Sequence, residues 1–294
     1  MIEINKLYHS LGGKTVLRDV CLTVPESTIM GLVGINGAGK STLLRLLAGV
    51  YKADGGSILF DGASPEQAAT RQQIFFLPDD PYYTAAMTPT KLFTFYKTFY
   101  PDIDRGVFEK LLYEYAIDHR GKMRNFSKGM RRQVFIALAL AVKPRYLLLD
   151  EAFDGLDPLS RKIFKDAIID FVEREHTTVI ISSHSLRELE DFCDRFVLLD
   201  NNTVKIGGDI AEHVSSFCKF EMAFTEAVDE ALFAELPVCA LAVKGRFVQI
   251  VLEGNAEELR PRLEAFGPAV MDEMPLDFEE MFIHDVEKKR GASQ

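Results

Sequence analysis

Gly34-Ile35-Asn36-Gly37-Ala38-Gly39-Lys40-Ser41-Thr42 carries, position by position, the residue types that a bound nucleoside triphosphate demands. The apolar run Ile29 to Val33 before it predicts a buried strand. Leu43, Leu44, Leu46 and Leu47 after it repeat with helical spacing up to Gly49. In such a strand, loop and helix the glycines let backbone N–H groups converge on phosphate oxygens, and the helix N-terminus adds partial positive charge. Lys40 reaches the β and γ phosphates, and Ser41 ligates Mg2+. The stretch predicts an α/β P-loop fold that binds ATP or GTP.

The chain's 294 residues are enough for one large domain and a smaller one. Its 47% hydrophobic and 27% charged content is that of a globular protein. No stretch approaches the roughly 20 apolar residues that a membrane helix needs. The longest apolar run, Val134 to Val142, stops at Lys143 and Pro144. The start, Met1-Ile2-Glu3-Ile4-Asn5-Lys6, lacks the charged-then-apolar layout of a signal peptide, so a cytoplasmic location is expected. Cys21, Cys193, Cys218 and Cys239 are scattered without metal-type spacing and read as reduced, packed thiols. A net charge of -10 argues against a broad grip on nucleic acid, which relies on clustered Lys and Arg, so no nucleic-acid partner is expected.

The run Arg145-Tyr146-Leu147-Leu148-Leu149-Asp150-Glu151 is apolar and ends in two carboxylates, the form of a buried strand that delivers acids at its C-terminal edge. Asp150 suits the shell of Mg2+, a hard cation that prefers oxygen ligands, and Glu151 is placed to polarise an attacking water. Upstream lies Asn125-Phe126-Ser127-Lys128-Gly129-Met130-Arg131-Arg132-Gln133, and downstream lie Gly155-Leu156-Asp157 and Ser182-Ser183-His184.

Taken in this order, the motifs over residues 1 to about 210 resemble the ATP-binding subunit of a bacterial ATP-binding cassette (ABC) transporter of the exporter kind. The resemblance implies that Ser127, Lys128 and Gly129 meet the γ-phosphate of ATP held by a second subunit, in a homodimer or a heterodimer with a similar subunit. The physics agrees, since Ser127 and the N–H groups from Gly129 onward begin a helix whose positive end attracts an anion. By resemblance His184 contacts the γ-phosphate and links it to Glu151, and Asp157 bridges the two subunits.

Three positions depart from the family pattern. Lys128 stands where a first glycine is usual, which sets a cation beside the partner's γ-phosphate. In Phe76-Leu77-Pro78-Asp79-Asp80-Pro81, Asp79 stands where the family has glutamine. If Asp79 swings in without touching the metal, repulsion from phosphate at about 5 Å costs roughly 3 kcal/mol at an effective dielectric near 20; if it ligates Mg2+, the sign reverses. Both changes create charge at one site and are expected to tune turnover. In Leu7-Tyr8-His9-Ser10-Leu11-Gly12-Gly13, Leu11 replaces an aromatic residue that stacks on adenine, leaving an aliphatic face and a nearby Tyr8. The preference for ATP rests on the resemblance.

Between Asp79 and Ser127 the helix formers Lys91 to Phe99 and Val107 to Tyr115, punctuated by Pro89 and Pro101, predict a helical subdomain over about residues 82–143. Its aromatics, among them Tyr82, Tyr83, Phe93, Phe95, Tyr96, Phe99 and Tyr100, exceed what one helical stripe buries. Some pack in the subdomain, and Tyr82, Tyr83 or Tyr100 is expected to line a groove for a short helix of a membrane subunit. A hairpin turn at Asn201-Asn202 closes the nucleotide-binding domain, read as residues 1–214.

Residues 215–294 read as a small α+β domain. The expected order is strand Lys219 to Phe224, helix Glu226 to Leu236, strand Val238 to Val243, strand Arg246 to Leu252, helix Ala256 to Phe266 and strand Ala269 to Glu273. That is a split βαβ, ferredoxin-like pattern, followed by an amphipathic helix Leu276 to Val286 and a frayed end. It carries no catalytic motif and suits a packing or dimer-stabilising role, with a ligand sensor as the alternative.

The resemblance thus implies an ATPase that uses ATP and Mg2+ and powers a separate membrane permease from the inner face of the cell membrane, exporting a peptide, antibiotic or lipid. A soluble cassette ATPase acting on nucleic acid or ribosomes is the rival. A nucleotide-gated regulator with little turnover is a third reading, suggested by Asp79 and Lys128.

Overall fold

The computed structural model describes residues 1–276. The chain falls into two compact units divided between Gly207 and Gly208. The terminal helix expected from Leu276 to Val286 lies, from residue 277 onward, outside the described residues.

In chain order the elements are β1 (Ile2–Leu11), β2 (Lys14–Val24), β3 (Ile29–Val33), α1 (Lys40–Leu47), β4 (Gly55–Phe60), α2 (Ala68–Arg71), β5 (Ile74–Leu77), α3 (Pro89–Tyr96), α4 (Arg105–Glu114) and α5 (Lys128–Val142). There follow β6 (Tyr146–Leu149), α6 (Pro158–Glu175), β7 (Thr178–Ser183), α7 (Leu186–Glu190), β8 (Arg195–Asp200), β9 (Thr203–Asp209), α8 (Ile210–Ser215), β10 (Phe217–Ala223), β11 (Val238–Lys244), β12 (Phe247–Glu253), α9 (Ala256–Glu264) and β13 (Val270–Met274).

The continuous apolar runs of β3, β6 and β7 are what a strand needs when both faces of its sheet are covered, and every residue of the three is buried. They lie inside a six-stranded sheet of order β5-β6-β7-β3-β8-β9, in which each neighbouring pair from β5 to β8 is parallel. The parallel strands send the loops after β3, β5, β6 and β7 out of one sheet edge, which is where such sheets bind ligands. α1 is held on this sheet by Leu43, Leu44, Leu46 and Leu47, each at most 1% exposed, and each worth roughly 1.5–3 kcal/mol of burial. Asn201 and Asn202 adopt φ of 48° and 70°, the paired left-handed conformation of a two-residue hairpin turn between β8 and β9. A separate antiparallel sheet of order β2-β1-β4 carries Leu11 at its tip.

In the helical segment the caps set the element bounds. Thr88 accepts from the Lys91 N–H and Pro89 opens α3, while Asp104 accepts from the Val107 N–H, so both helices begin two residues before the expected starts. The aromatics divide as their number requires. Phe93 is buried, Tyr96 and Tyr100 stack with centroids 6.4 Å apart, and Tyr82, Phe95 and Phe99 face solvent. Burial raises the pKa of both stacked tyrosines. α5 is buried continuously from Arg132 to Ala141, as a helix apolar nearly all round must be.

In the second unit four antiparallel strands run in the order β11-β12-β10-β13 over a core that includes Phe220, Phe233, Ile250 and Leu263. The helix expected from Glu226 to Leu236 is only a 3-10 turn, Glu230–Phe233. Val228 N–H is drawn to the Gly245 carbonyl of the β11–β12 turn, Asp229 caps Ala231, and Pro237 ends the segment. Too few residues remain for an α-helix.

Candidate functional site

The loop after β3 is a cradle built by close backbone approach. A Cβ on Gly34 would stand 2.4 Å from the Leu199 carbonyl oxygen, and one on Gly39, at φ +106°, would stand 2.9 Å from Leu17 Cδ2. Neither position accepts a side chain. Ile35, Asn36 and Gly37 form the exposed turn, and Ala38 N–H donates to the Ile35 carbonyl at 3.1 Å. Lys40 and Thr42 are buried at the start of α1. Lys40 Nζ donates to the Gly34 carbonyl at 2.6 Å and lies 3.4 Å from Glu151 Oε1.

Asp150 directly follows β6 and is 1% exposed. Its Oδ1 accepts from Ser41 Oγ at 3.1 Å and from Ser182 Oγ at 2.8 Å. Its Oδ2 is buried and has no hydrogen-bond partner among the described residues. A buried carboxylate oxygen left unmatched beside a serine hydroxyl is a donor set that fits a hard cation or its water. No cluster of three His, Cys, Asp or Glu among the described residues could hold a metal alone. Mg2+ takes one or two protein ligands and completes its shell with phosphate oxygens and water.

Glu151 follows in a left-handed conformation, φ 48°. Its N–H is held by Ser182 Oγ at 3.0 Å, and its Oε2 lies 3.0 Å from His184 Nδ1. One carboxylate thus spans Lys40 and His184. Ser182 was visible in the sequence only as part of a Ser-Ser-His motif; its hydroxyl ties both acids of the site to β7.

The Ser127 end of α5 meets a different set of groups. Ser127 Oγ accepts from the Met130 N–H at 3.1 Å. A Cβ on Gly129 would stand 2.4 Å from the Gly155 carbonyl oxygen, so this helix start rests directly on the turn after Glu151. Lys128 Nζ lies 2.5 Å from Asp154 Oδ2 and 3.9 Å from Asp79 Oδ1. Asp79 is held instead by Arg132, whose Nη2 lies 2.8 Å from Asp79 Oδ1. Among the described residues no contact joins Asp79 to Lys40, Ser41 or Asp150. Asp157 caps its own helix, accepting from Leu159 N–H and Ser160 N–H, each at 3.0 Å. Leu11 is partly exposed at the tip of β1, and the Tyr8 hydroxyl is engaged with Thr15 at 3.1 Å and Ser10 at 3.0 Å.

Beside the Asp79 loop lies an open cleft of about 380 Å³ lined by Asp79, Pro81, Tyr83, Arg131, Arg132 and Phe135. Tyr83 lies under the Arg131 guanidinium at 5.5 Å. Tyr82 stands clear in solvent, and the Tyr100 hydroxyl turns inward to the Ile74 carbonyl at 3.2 Å. Of the three tyrosines expected to line a groove, Tyr83 alone is in this lining.

The hydrogen bond from Lys128 and its charge hold the Asp154 carboxyl below the ordinary carboxylate range, and the same bond raises Lys128. A lowered carboxyl contributes stability that is full above the unfolded pKa, near 4, and is lost as pH falls through the lower folded value. A raised amine contributes fully below about 10.4. Both groups are half exposed, so solvent screening limits the pair to about 1 kcal/mol or less. A Lys128→Met chain is therefore expected to unfold at slightly lower urea than the wild type at pH 7, with the difference shrinking as pH falls below about 4.

The ABC transporter family profile matches residues 17–154. The chain is 33% identical over 292 residues to the ABC transporter ATP-binding protein YtrB of Bacillus subtilis, covering 99% of each. It is 34% identical over 205 residues to the lipopolysaccharide export system ATP-binding protein LptB of Haemophilus influenzae, covering 66% of this chain and 85% of that one. Among solved structures it superposes on an ATP-binding subunit of an ABC transporter with a TM-score of 0.67 at 27% identity, covering 72% of this chain and 91% of the other.

Proposed function

The chain belongs to the ABC transporter family as an ATP-binding subunit, and from that premise we propose that it powers export through a separate membrane permease. Subunits of this family hydrolyse ATP. The observation that carries the catalytic reading is Glu151, set between Lys40 and His184 and next to the unmatched Oδ2 of Asp150.

In this reading the loop 34–39 and Lys40 bind the β and γ phosphates of ATP. Ser41 and Asp150 hold Mg2+. When bound, that ion neutralises charge on the phosphate oxygens and fixes their orientation. Glu151 accepts a proton from the attacking water, the bond from water oxygen to the γ-phosphorus forms, and ADP leaves with the electron pair of the broken bond. His184 fixes the carboxylate of Glu151 through Oε2 and contacts the γ-phosphate. Leu11 packs on the base. Two copies of the chain close on two nucleotides, each offering Ser127, Lys128 and Gly129 to the ATP of the other. The chain itself carries a complete phosphate loop, an acid pair and a Ser-x-Gly helix start, so two copies supply every part required.

No helix among the described residues is long and apolar enough to cross a membrane, and a permease on another polypeptide is supported by likeness to the ATP-binding protein of an export system. The subunit would then lie on the inner face of the cell membrane, with a permease segment in the cleft beside Tyr83. Export is favoured by likeness to a subunit of a lipopolysaccharide export system, and a lipid, peptide or antibiotic is the substrate class.

Purification of a tagged Glu151→Gln chain from detergent-solubilised cells with Mg-ATP tests this. An integral membrane protein in stoichiometric amount is expected in the eluate. A chain free of membrane protein, or one carrying ribosomes or DNA, would overturn the proposal in favour of a soluble role.

A further inference from the structure

Lys128 and Arg132 are one helical turn apart on α5, at the i, i+4 spacing that puts both on one face, and that face meets two acidic loops. Lys128 answers Asp154 in the loop after β6. Arg132, 2% exposed, answers the loop after β5 three times: Nη1 donates to the Pro78 carbonyl at 3.0 Å, and Nη2 donates to the Asp79 carbonyl at 2.5 Å and to Asp79 Oδ1 at 2.8 Å. A guanidinium buried to this extent requires a counter-charge as well as acceptors, and Asp79 supplies it.

We propose that Arg132 is a positioning residue for ATP hydrolysis, clamping the Asp79 loop to α5 so that the loop and the Ser127-Lys128-Gly129 helix start move as one piece. Two contacts of α5 make this a mechanical unit. Its first turn rests on the Gly155 carbonyl through Gly129, and its second turn grips residues 78 and 79 through Arg132. The end of β5, from which that loop leaves, is also tied to the residue that follows β6, since Asp150 N–H donates to the Leu77 carbonyl at 2.8 Å. A displacement of α5 therefore reaches the strand end that carries Asp150. The clamp also changes the electrostatic problem posed by an acid at position 79: its charge is met inside the chain by Arg132, with Lys128 as a second and more distant cation. The effect on turnover rests on the proposed ATPase reading; the clamp itself does not.

The test compares the full chain with Arg132→Gln, Asp79→Gln, the double Asp79→Gln/Arg132→Gln and the double Asp79→Leu/Arg132→Met. Three quantities are read: hydrogen exchange of the Asp79 and Asp80 amides without nucleotide, the thermal midpoint, and kcat and KM for ATP. Arg132→Gln should speed exchange of the loop about tenfold and lower kcat about tenfold, with KM within about twofold, because a positioning group acts on the transition state rather than on uniform binding. Two neutral amides can rebuild hydrogen bonds across the loop, so the Gln/Gln chain should recover kcat to within about threefold, a strongly non-additive result. The apolar pair should recover the thermal midpoint, as apolar replacements of buried ion pairs do, while exchange stays fast and kcat stays low.

The proposal is overturned if Arg132→Gln leaves exchange of the Asp79 and Asp80 amides unchanged, if the Gln/Gln chain loses the product of the two single losses, or if the Leu/Met chain turns over at the wild-type rate. A wild-type chain without ATPase activity would instead refute the functional reading, and the exchange measurements would still decide the clamp.

Discussion

Exchange of Glu151 for glutamine is expected to slow phosphate release by about 10²–10⁴-fold, the range typical of removing a general base, while ATP still binds. The substitution keeps the size of the side chain and its reach to His184 and Lys40 but removes the charge that accepts a proton. The left-handed backbone at 151 is held by the Ser182 hydroxyl, independently of the side chain, so the local frame should survive. Lys40 loses a competing anion 3.4 Å from its ammonium, so affinity for the triphosphate should hold or rise. Equilibrium binding of ATP and single-turnover phosphate release separate the two effects. Turnover within about threefold of the wild type would mean that another group takes the proton.

The second large effect is expected at Asp150. Asparagine at this position can still accept from Ser41 and Ser182 through one oxygen, but it offers no anionic oxygen where Oδ2 now lies buried and unmatched. Weakened metal-site groups typically cost 10–100-fold in metal affinity or activity, so Asp150→Asn should lose about 100-fold in turnover at low millimolar Mg2+. Part of that loss should return as Mg2+ is raised, because the defect is one of metal affinity; the Glu151→Gln defect should not respond. An Asp150→Asn chain with an unchanged Mg2+ titration would remove Asp150 from the metal site.

What the sequence made legible was local. The glycine-rich loop occupies nine consecutive residues between a strand and a helix, and Asp150 and Glu151 end an apolar run, so short-range patterning was enough to place these residues in the fold. Leucine spacing after Lys40 likewise located α1 correctly. Pairings between distant segments were not legible. Arg132 meets Asp79 across 53 positions and Lys128 meets Asp154 across 26, and no periodicity connects a loop after one strand to the face of a later helix. A signal did exist: a cation four residues after Lys128 in a helix that also had to cover an unpaired acid. The expected helix from Glu226 to Leu236 failed for a related reason, since its first residues are drawn to the hairpin turn at Gly245, a contact that propensity does not encode. The sequence set Asp79 beside Lys128 and against phosphate or metal; the structure pairs it most closely with Arg132, which is why its substitution is informative only together with Arg132.

In the proposed cycle one chain holds only part of each working site, and ATP brings a second copy to complete it. The most direct test is the mass of the Glu151→Gln chain by light scattering with saturating Mg-ATP and again with EDTA. A single chain of 33.1 kDa is expected with EDTA and twice that mass with Mg-ATP. A chain that binds one ATP and keeps the mass of one copy would contradict it.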